Sequence, residues 1–251
     1  MSSLPRLLAL LALAAWLPLA APAAAATIKV AFDPTWPPLE FADGNGRIVG
    51  FSVDFFQAVC REAGCEIEPI KSDWDNIFSG LKEKRWDMVV SSVTITPERR
   101  REMNFSIPYY IVRQSLVTPA SSSVTNPRQL KGLRVGVQGG TTAEAVVQNN
   151  EAIVIPFDDI EAAVTALTAG KVEAVVCEDV VAQTFMDNPD LAGKIKMAAV
   201  IETPGAEELY GAVFRLDDLD LLIQINDGIK AVRDKGLDKE IRRKWFGATA
   251  K

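Results

Sequence analysis

DMVVSSVTITPERRREMNFSIPYY, Asp87 to Tyr110, is the stretch from which the rest of the chain can be read. Met88 to Val90 has the character of a buried strand, and it runs into the small hydroxyl residues Ser91, Ser92 and Thr94. Thr96-Pro97 then turns the chain into a short basic helix that holds Arg99. Hydroxyls, backbone N–H groups and a guanidinium can thereby converge beyond the carboxyl end of a strand, where ligands of open α/β sheets usually bind. An arginine fork matches a carboxylate through two parallel, charge-assisted hydrogen bonds. The same residues also fit a strand, a capped turn and a solvated basic helix.

Outward from this stretch, strands and helices alternate. Ile28 to Phe32 is β-like, the helix Val53 to Ala63 closes at Gly64, and Glu66 to Ile70 is a strand followed by the helix Asn76 to Lys84. Ile111 to Pro119 forms a long β-like crossing segment, and Ser121 to Ser123 marks a loop. A second series follows, with strands at Leu133–Val137, Ile153–Pro156 and Val172–Cys177 and helices at Ala143–Gln148, Ile160–Ala169 and Val180–Met186. Glu202-Thr203-Pro204-Gly205 breaks the pattern before a return strand, Tyr210 to Phe214, and two helices, Leu219–Lys235 and Leu237–Trp245. Two α/β units with largely parallel sheets are expected.

Composition narrows the chemistry. The chain has 251 residues, room for one or two domains with a proper core. Arg6, the apolar run Leu7 to Leu19 and Ala24-Ala25-Ala26 before Thr27 predict a cleavable secretory signal peptide over residues 1–26. No cysteine follows the expected cut, so a lipid on the new terminus is not indicated. The remaining chain carries a net charge of −7, which does not favour nucleic acid or an anionic membrane surface. It contains no histidine, which removes the commonest metal ligand and any Ser-His-Asp chemistry. Export permits disulfides, and a bridge between Cys60 and Cys65 would staple the turn around Gly64. Cys177, in an apolar run, is expected to be a buried inert thiol.

Several further residues have two readings. Gly139-Gly140-Thr141-Thr142 is an anion site at a helix N-terminus or an ordinary threonine cap. Glu178-Asp179 either cap a helix or counter a bound ammonium. Trp36 and Trp74 belong to the core or wall a ligand, and Asp33 is a turn residue or part of a site.

Taken together, these segments resemble one family. GRIVGFSVDFFQAV, SDWDNIFSGL, DMVVSSVTITPERR, NFSIPYY, LRVGVQGGTT and GLDKEIRRKWFG occur in the order and spacing of the bacterial periplasmic solute-binding proteins of polar amino-acid ABC transporters, extracellular solute-binding family 3. The resemblance spans Thr27 to Gly247. It implies an α/β, two-lobed periplasmic-binding-protein fold of type II-like form, with two crossing segments and the ligand in the cleft between hinged lobes. Lobe I would comprise 27–111 plus 206–251, and lobe II 112–205, with hinges near Ile111–Arg113 and Thr203–Gly205. The chain would be a periplasmic monomer that passes a free L-amino acid to a membrane permease, without a cofactor.

The resemblance also assigns roles. Arg99 would grip the α-carboxylate with backbone N–H groups at Thr94 and Thr142, in a site flanked by Ser91 and Thr141. Ser92 and Glu178 would take the α-ammonium, Trp36 and Trp74 would wall the side chain, and Asp33 would face its distal end. A negative charge beside two indole faces favours arginine, then lysine or ornithine, with glutamine as the uncharged alternative. Two positions depart from the family's pattern. Glu178 stands where aspartate is usual, which leaves the ammonium contact to Glu178 or Asp179. Ile107 is similar to the cyclohexadienyl (arogenate/prephenate) dehydratases of the same fold, the rival reading. Those enzymes carry a glutamate about one helical turn beyond the acid that matches Glu178, where this chain has Val180 and Val181.

Overall fold

A computed structural model describes residues 25–201 and 208–247. Most of the expected signal peptide and the expected hinge at Thr203–Gly205 lie outside the described residues. Ala26 opens the first strand.

The first unit is built on a five-stranded sheet in the order Cys65–Lys71, Ala26–Phe32, Met88–Val89, Val213–Phe214 and Asn104–Phe105. The first three strands are parallel and the last two antiparallel. Parallel neighbours require crossovers, here α1 (Phe51–Glu62) and α2 (Trp74–Lys82). The Ala26–Phe32 strand lies between the two strands that follow it, so the crossovers cover opposite faces. Strand alternation matches. Val30, Phe32 and Met88 belong to the cluster that includes α1 residues Phe55, Phe56 and Val59. Ala31 and Val89 face Trp74, Ile77 and Leu81 of α2.

The second unit repeats this logic. Its sheet runs Ile153–Phe157, Arg134–Gln138, Ala174–Glu178, Gln114–Pro119 and Ile195–Ile201. Helix α3 (Thr142–Asn149) packs with Val135, Val137 and Val176, while α4 (Ile160–Thr168) packs with Val175 and Cys177. Helix α5 (Asp179–Met186) follows the Ala174–Glu178 strand directly. The Tyr110–Val112 and Glu208–Tyr210 strands pair antiparallel where the chain passes between units. Two C-terminal helices, α6 (Leu219–Asp234) and α7 (Leu237–Phe246), return to pack on α1. Both parallel sheets therefore reverse their strand order at a central strand. The crevices beyond those carboxyl ends hold Asp33 and Ser91 in one unit and Gln138 and Glu178 in the other.

Four expectations need correction. The segment Ile111–Pro119 is two strands, broken at Arg113, whose carbonyl accepts from Asp179 N at 2.8 Å. The return strand is likewise broken, at Gly211, where Gly211 N donates to Val93 O and any Cβ would meet Ile95 and Phe105 near 3 Å. Arg99 opens a single 3₁₀ turn, Arg99–Arg101, rather than a helix. Cys60 and Cys65 are free, buried thiols instead of a bridge. Burial pushes the Cys60 thiol well up, which holds it in the protonated, unreactive form. Cys177 is free and fully buried, as expected.

A three-stranded sheet, Thr35–Trp36, Glu40–Ala42 and Ile48–Val49, caps the first unit and leads into α1 through Gly50. Gly50 has φ 138°, and a Cβ there would lie 2.1 Å from the Leu39 carbonyl oxygen. Only glycine fits this backbone, so Gly50→Ala should cost about 3 kcal/mol or more and lower the melting temperature. An unchanged melting temperature would contradict the packing. Glu40, in the middle strand, is fully buried with neither carboxylate oxygen hydrogen-bonded. Burial pushes its carboxyl up to about 8 from the ordinary 4.5. The folded protein thus keeps a proton that the unfolded chain releases, and stability falls as pH rises from 4.5 through about 8. Glu40→Gln should flatten that fall by up to about 1.4 kcal/mol per pH unit. Denaturant unfolding across this range checks it, and an unaltered slope would refute it.

Candidate functional site

Nine side chains from both units line one narrow recess: Trp36, Trp74, Ser91, Ser92, Thr94, Arg99, Thr141, Thr142 and Glu178. Asp33 is the one proposed site residue that does not line it.

Arg99 is placed by the 3₁₀ turn. Its backbone N–H donates to Thr96 Oγ1 at 3.2 Å, which swings the side chain back over the strand end. Nη1 donates to Thr94 O at 2.9 Å and Nη2 to Gly140 O at 3.2 Å, so one guanidinium touches both units. Its carbon lies 5.5 Å from the centre of the Trp74 ring and 5.8 Å from that of Phe78. Burial pulls the guanidinium below its usual value, while Glu208, Tyr210 and Glu178 oppose the shift. Arginine remains charged throughout.

The first unit supplies the hydroxyl wall. Ser91 Oγ accepts from Asp33 N at 2.9 Å, which ties the ends of the two parallel strands together. Ser92 adopts φ 47°, a left-handed conformation that a non-glycine residue holds only when its surroundings impose it. Its hydroxyl is buried without a partner. Thr94 bridges by its backbone to Tyr210 of the return crossing strand.

The second unit closes the other side. Gly140 approaches so near that an added Cβ would stand 3.1 Å from Trp74 Nε1. Thr141 precedes α3 but does not cap it by side chain, since its hydroxyl donates to Gln138 O at 2.8 Å. Thr142 Oγ1 donates to Glu208 Oε2 at 3.0 Å. Glu178 is 3% exposed, and it does not cap α5. Gln114 Nε2 donates to its Oε1 at 3.3 Å, while Oε2 has no partner. Burial, with Glu208 nearby, pushes the Glu178 carboxyl up to about 7. Asp179 faces away instead. One of its oxygens accepts from Val180 N and the other pairs with the exposed Arg113 at 3.1 Å. Of the two acids, Glu178 is the one in the recess.

Asp33 lies behind this wall, 3% exposed. Its oxygens accept from Thr35 Oγ1 at 3.0 Å and from Gln138 Nε2 at 3.1 Å, a contact that crosses between the units. Burial raises its carboxyl despite both hydrogen bonds. Gln138, Gln114, Glu40 and Glu208 are the polar residues of this neighbourhood that the sequence reading missed. Gln138 and Gln114 carried a faint signal, an amide at the end of an apolar strand. Glu40 and Glu208 carried none. The chemistry of the recess is recognition: one guanidinium, free hydroxyl and indole surfaces, and a surplus of buried carboxyl groups.

Relatives agree in kind. The chain is 32% identical over 230 residues to the putative ABC transporter arginine-binding protein 2 of Escherichia coli K12, covering 89% of this chain and 92% of that protein. Among solved structures it is similar to the arginine-, lysine-, histidine-binding protein ArtJ of Geobacillus stearothermophilus, at 34% identity and TM-score 0.81, over 90% of this chain and 97% of the other. It is also similar to an ancestral amino-acid-binding protein described as a precursor of cyclohexadienyl dehydratase, at 27% identity and TM-score 0.78, over 88% and 95% of the two chains. These neighbours share the two-lobed architecture, and the family is one of binding proteins rather than enzymes. The family model for bacterial extracellular solute-binding proteins, family 3, matches residues 28–248, and the chain belongs to that family.

Proposed function

We propose that the chain captures a basic L-amino acid, arginine first, between two hinged lobes and hands it to the permease of an ABC importer. In this reading it works as a periplasmic monomer after removal of residues 1–26. The lobes are 27–111 plus 206–251 and 112–205, and the crossing strand near Ile111–Arg113 flexes. The observation that carries the ligand class is the charge surplus. Arg99 is the one cation among the residues that line the recess, whereas Glu178 lines it and Asp33 lies directly behind.

A zwitterion with a second positive charge fits that distribution. Its α-carboxylate goes to Arg99 and to the backbone N–H groups of Thr94 and Thr142, in a pocket flanked by Ser91 and Thr141. Its α-ammonium goes to Ser92 and Glu178, both of which have a buried oxygen without a partner. Its side chain runs between Trp36 and Trp74, whose faces attract a cation. The distal charge ends on the side of the recess that backs onto Asp33 and its partner Gln138, drawn by the carboxylate across the wall rather than by a direct contact. Lysine and ornithine satisfy the same charges with less stacking surface. Glutamine fits the shape without the distal charge.

Calorimetry with arginine, lysine, ornithine, glutamine and glutamate on ligand-free protein tests this reading. Basic amino acids should bind tightest and glutamate weakest. Arg99→Ala should lose about 3–5 kcal/mol of arginine affinity, as when a buried ion pair loses one partner. Asp33→Asn should weaken arginine far more than glutamine. Glutamate binding more tightly than arginine, or Arg99→Ala binding within a factor of a few of wild type, would overturn it.

A further inference from the structure

One amide nitrogen behind the recess collects three acceptors. Gln114, 1% exposed, directs Nε2 toward Glu208 Oε2 at 3.0 Å, Glu178 Oε1 at 3.3 Å and Thr142 Oγ1 at 3.3 Å. An amide nitrogen has two N–H groups, so the three contacts compete. Thr142 adds one donor, its hydroxyl to Glu208 Oε2. Gln114 Oε1 and Glu178 Oε2 remain buried and unpartnered. Among the described residues the cluster is short of donors, and two carboxyl groups share one neutral amide.

Among the described residues, the surroundings do not correct the shortage. Arg99 is the cation of the neighbourhood, but two of its nitrogens are held by the Thr94 and Gly140 carbonyls. Tyr210, on the same strand as Glu208, turns its hydroxyl toward Glu178 and favours the ionised form, but it falls short of a formed hydrogen bond and burial outweighs it. Behind it stand Tyr109 and the buried Glu40, which holds its own proton up to about 8 and supplies no positive charge. Asp179 on α5 is turned outward to Arg113. Two ionised carboxylates this close in a buried place repel, so the pair requires either a proton or a cation.

We propose that Glu208 is a positioning residue for the ligand's ammonium group: with Glu178 it forms a carboxyl pair around the Gln114 amide that retains one proton until an ammonium enters. The entering –NH₃⁺ keeps its own protons and takes over the positive charge. The carboxyl proton leaves to solvent, so charge balances. This rests on the amino-acid reading given above. The raised carboxyl of Glu178, brought about first by burial and then by Glu208 among the charges, is in keeping with it. Glu208 also sits on the return crossing strand, beside Val112, while its side chain holds Gln114 and Thr142 of the second unit. The charge of the pair and the path between the units are therefore joined at one residue.

Two measurements decide the matter. In ligand-free protein labelled with carbon-13 at glutamate carboxyls, Glu178 should titrate in two coupled steps, one of them near neutrality. Glu208→Gln, which keeps the acceptor for Thr142, should leave a single step nearer the ordinary glutamate range. Calorimetry of L-arginine binding near pH 7, in phosphate and in Tris, should show about half to one proton released by wild type and at most about a quarter of one by Glu208→Gln. Wild-type affinity should rise roughly 10-fold or more from about pH 6 to about pH 8, and the variant's should change less than about 4-fold. A Glu178 titration indifferent to Glu208→Gln would overturn the carboxyl pair, whatever the protein binds. Arginine binding with equal proton release in both proteins would overturn the positioning role and leave the amino-acid reading standing. Failure of every amino acid to bind wild type would overturn that reading, and the ammonium role of Glu208 with it.

Discussion

A single guanidinium joins the two halves of this protein. Arg99 donates to Thr94 O in the first unit and to Gly140 O in the second, with Trp74 packed beneath it. Few other arrangements could keep a buried cation in place, because each donor of a desolvated guanidinium needs an acceptor. The acceptors are carbonyls at the ends of strand-derived segments, which fixes the distance between units. The approach of Gly140 to Trp74 and the Asp33–Gln138 contact go with that closeness. A guanidinium bound to neutral carbonyls still has uncompensated charge, and that charge is what a carboxylate in the recess would meet.

The acids explain why one anionic group on the ligand would not suffice. Asp33, Glu40 and Glu178 are all nearly or fully buried, and burial raises each of their carboxyls. Holding such groups costs stability unless a proton or a partner arrives. Binding proteins can hold a site in this unsatisfied state because the ligand supplies what is missing. In the proposed reading a cationic ligand supplies that partner, and its affinity for the closed arrangement follows from the charge it neutralises.

Much of this was legible in the sequence, for identifiable reasons. Alternating strand and helix periods revealed both units, because each sheet is covered on both faces and its central strands are continuously apolar. Arg99, Ser92 and Thr142 stood out because each follows a strand or opens a turn at a local boundary. The breaks at Arg113 and Gly211 did not, since they depend on hydrogen bonds to Asp179 and Val93, far along the chain. The same applies to the buried network. Gln138 meets Asp33 across 105 residues and Gln114 meets Glu208 across 94, and neither pairing leaves a local pattern. Asp33 looked like a residue facing a ligand, yet it stands behind the wall because Thr35 and Gln138 occupy both of its oxygens.

The central claim is that opposite charges in fixed places orient a dibasic zwitterion across the recess. A crystal structure of the protein grown with L-arginine tests this most directly. The account predicts the α-carboxylate on Arg99, the α-ammonium beside Ser92 and Glu178, and the guanidinium between Trp36 and Trp74, directed at Asp33. An arginine bound in the opposite sense, with its side chain toward Thr142 and its carboxylate away from Arg99, would contradict it.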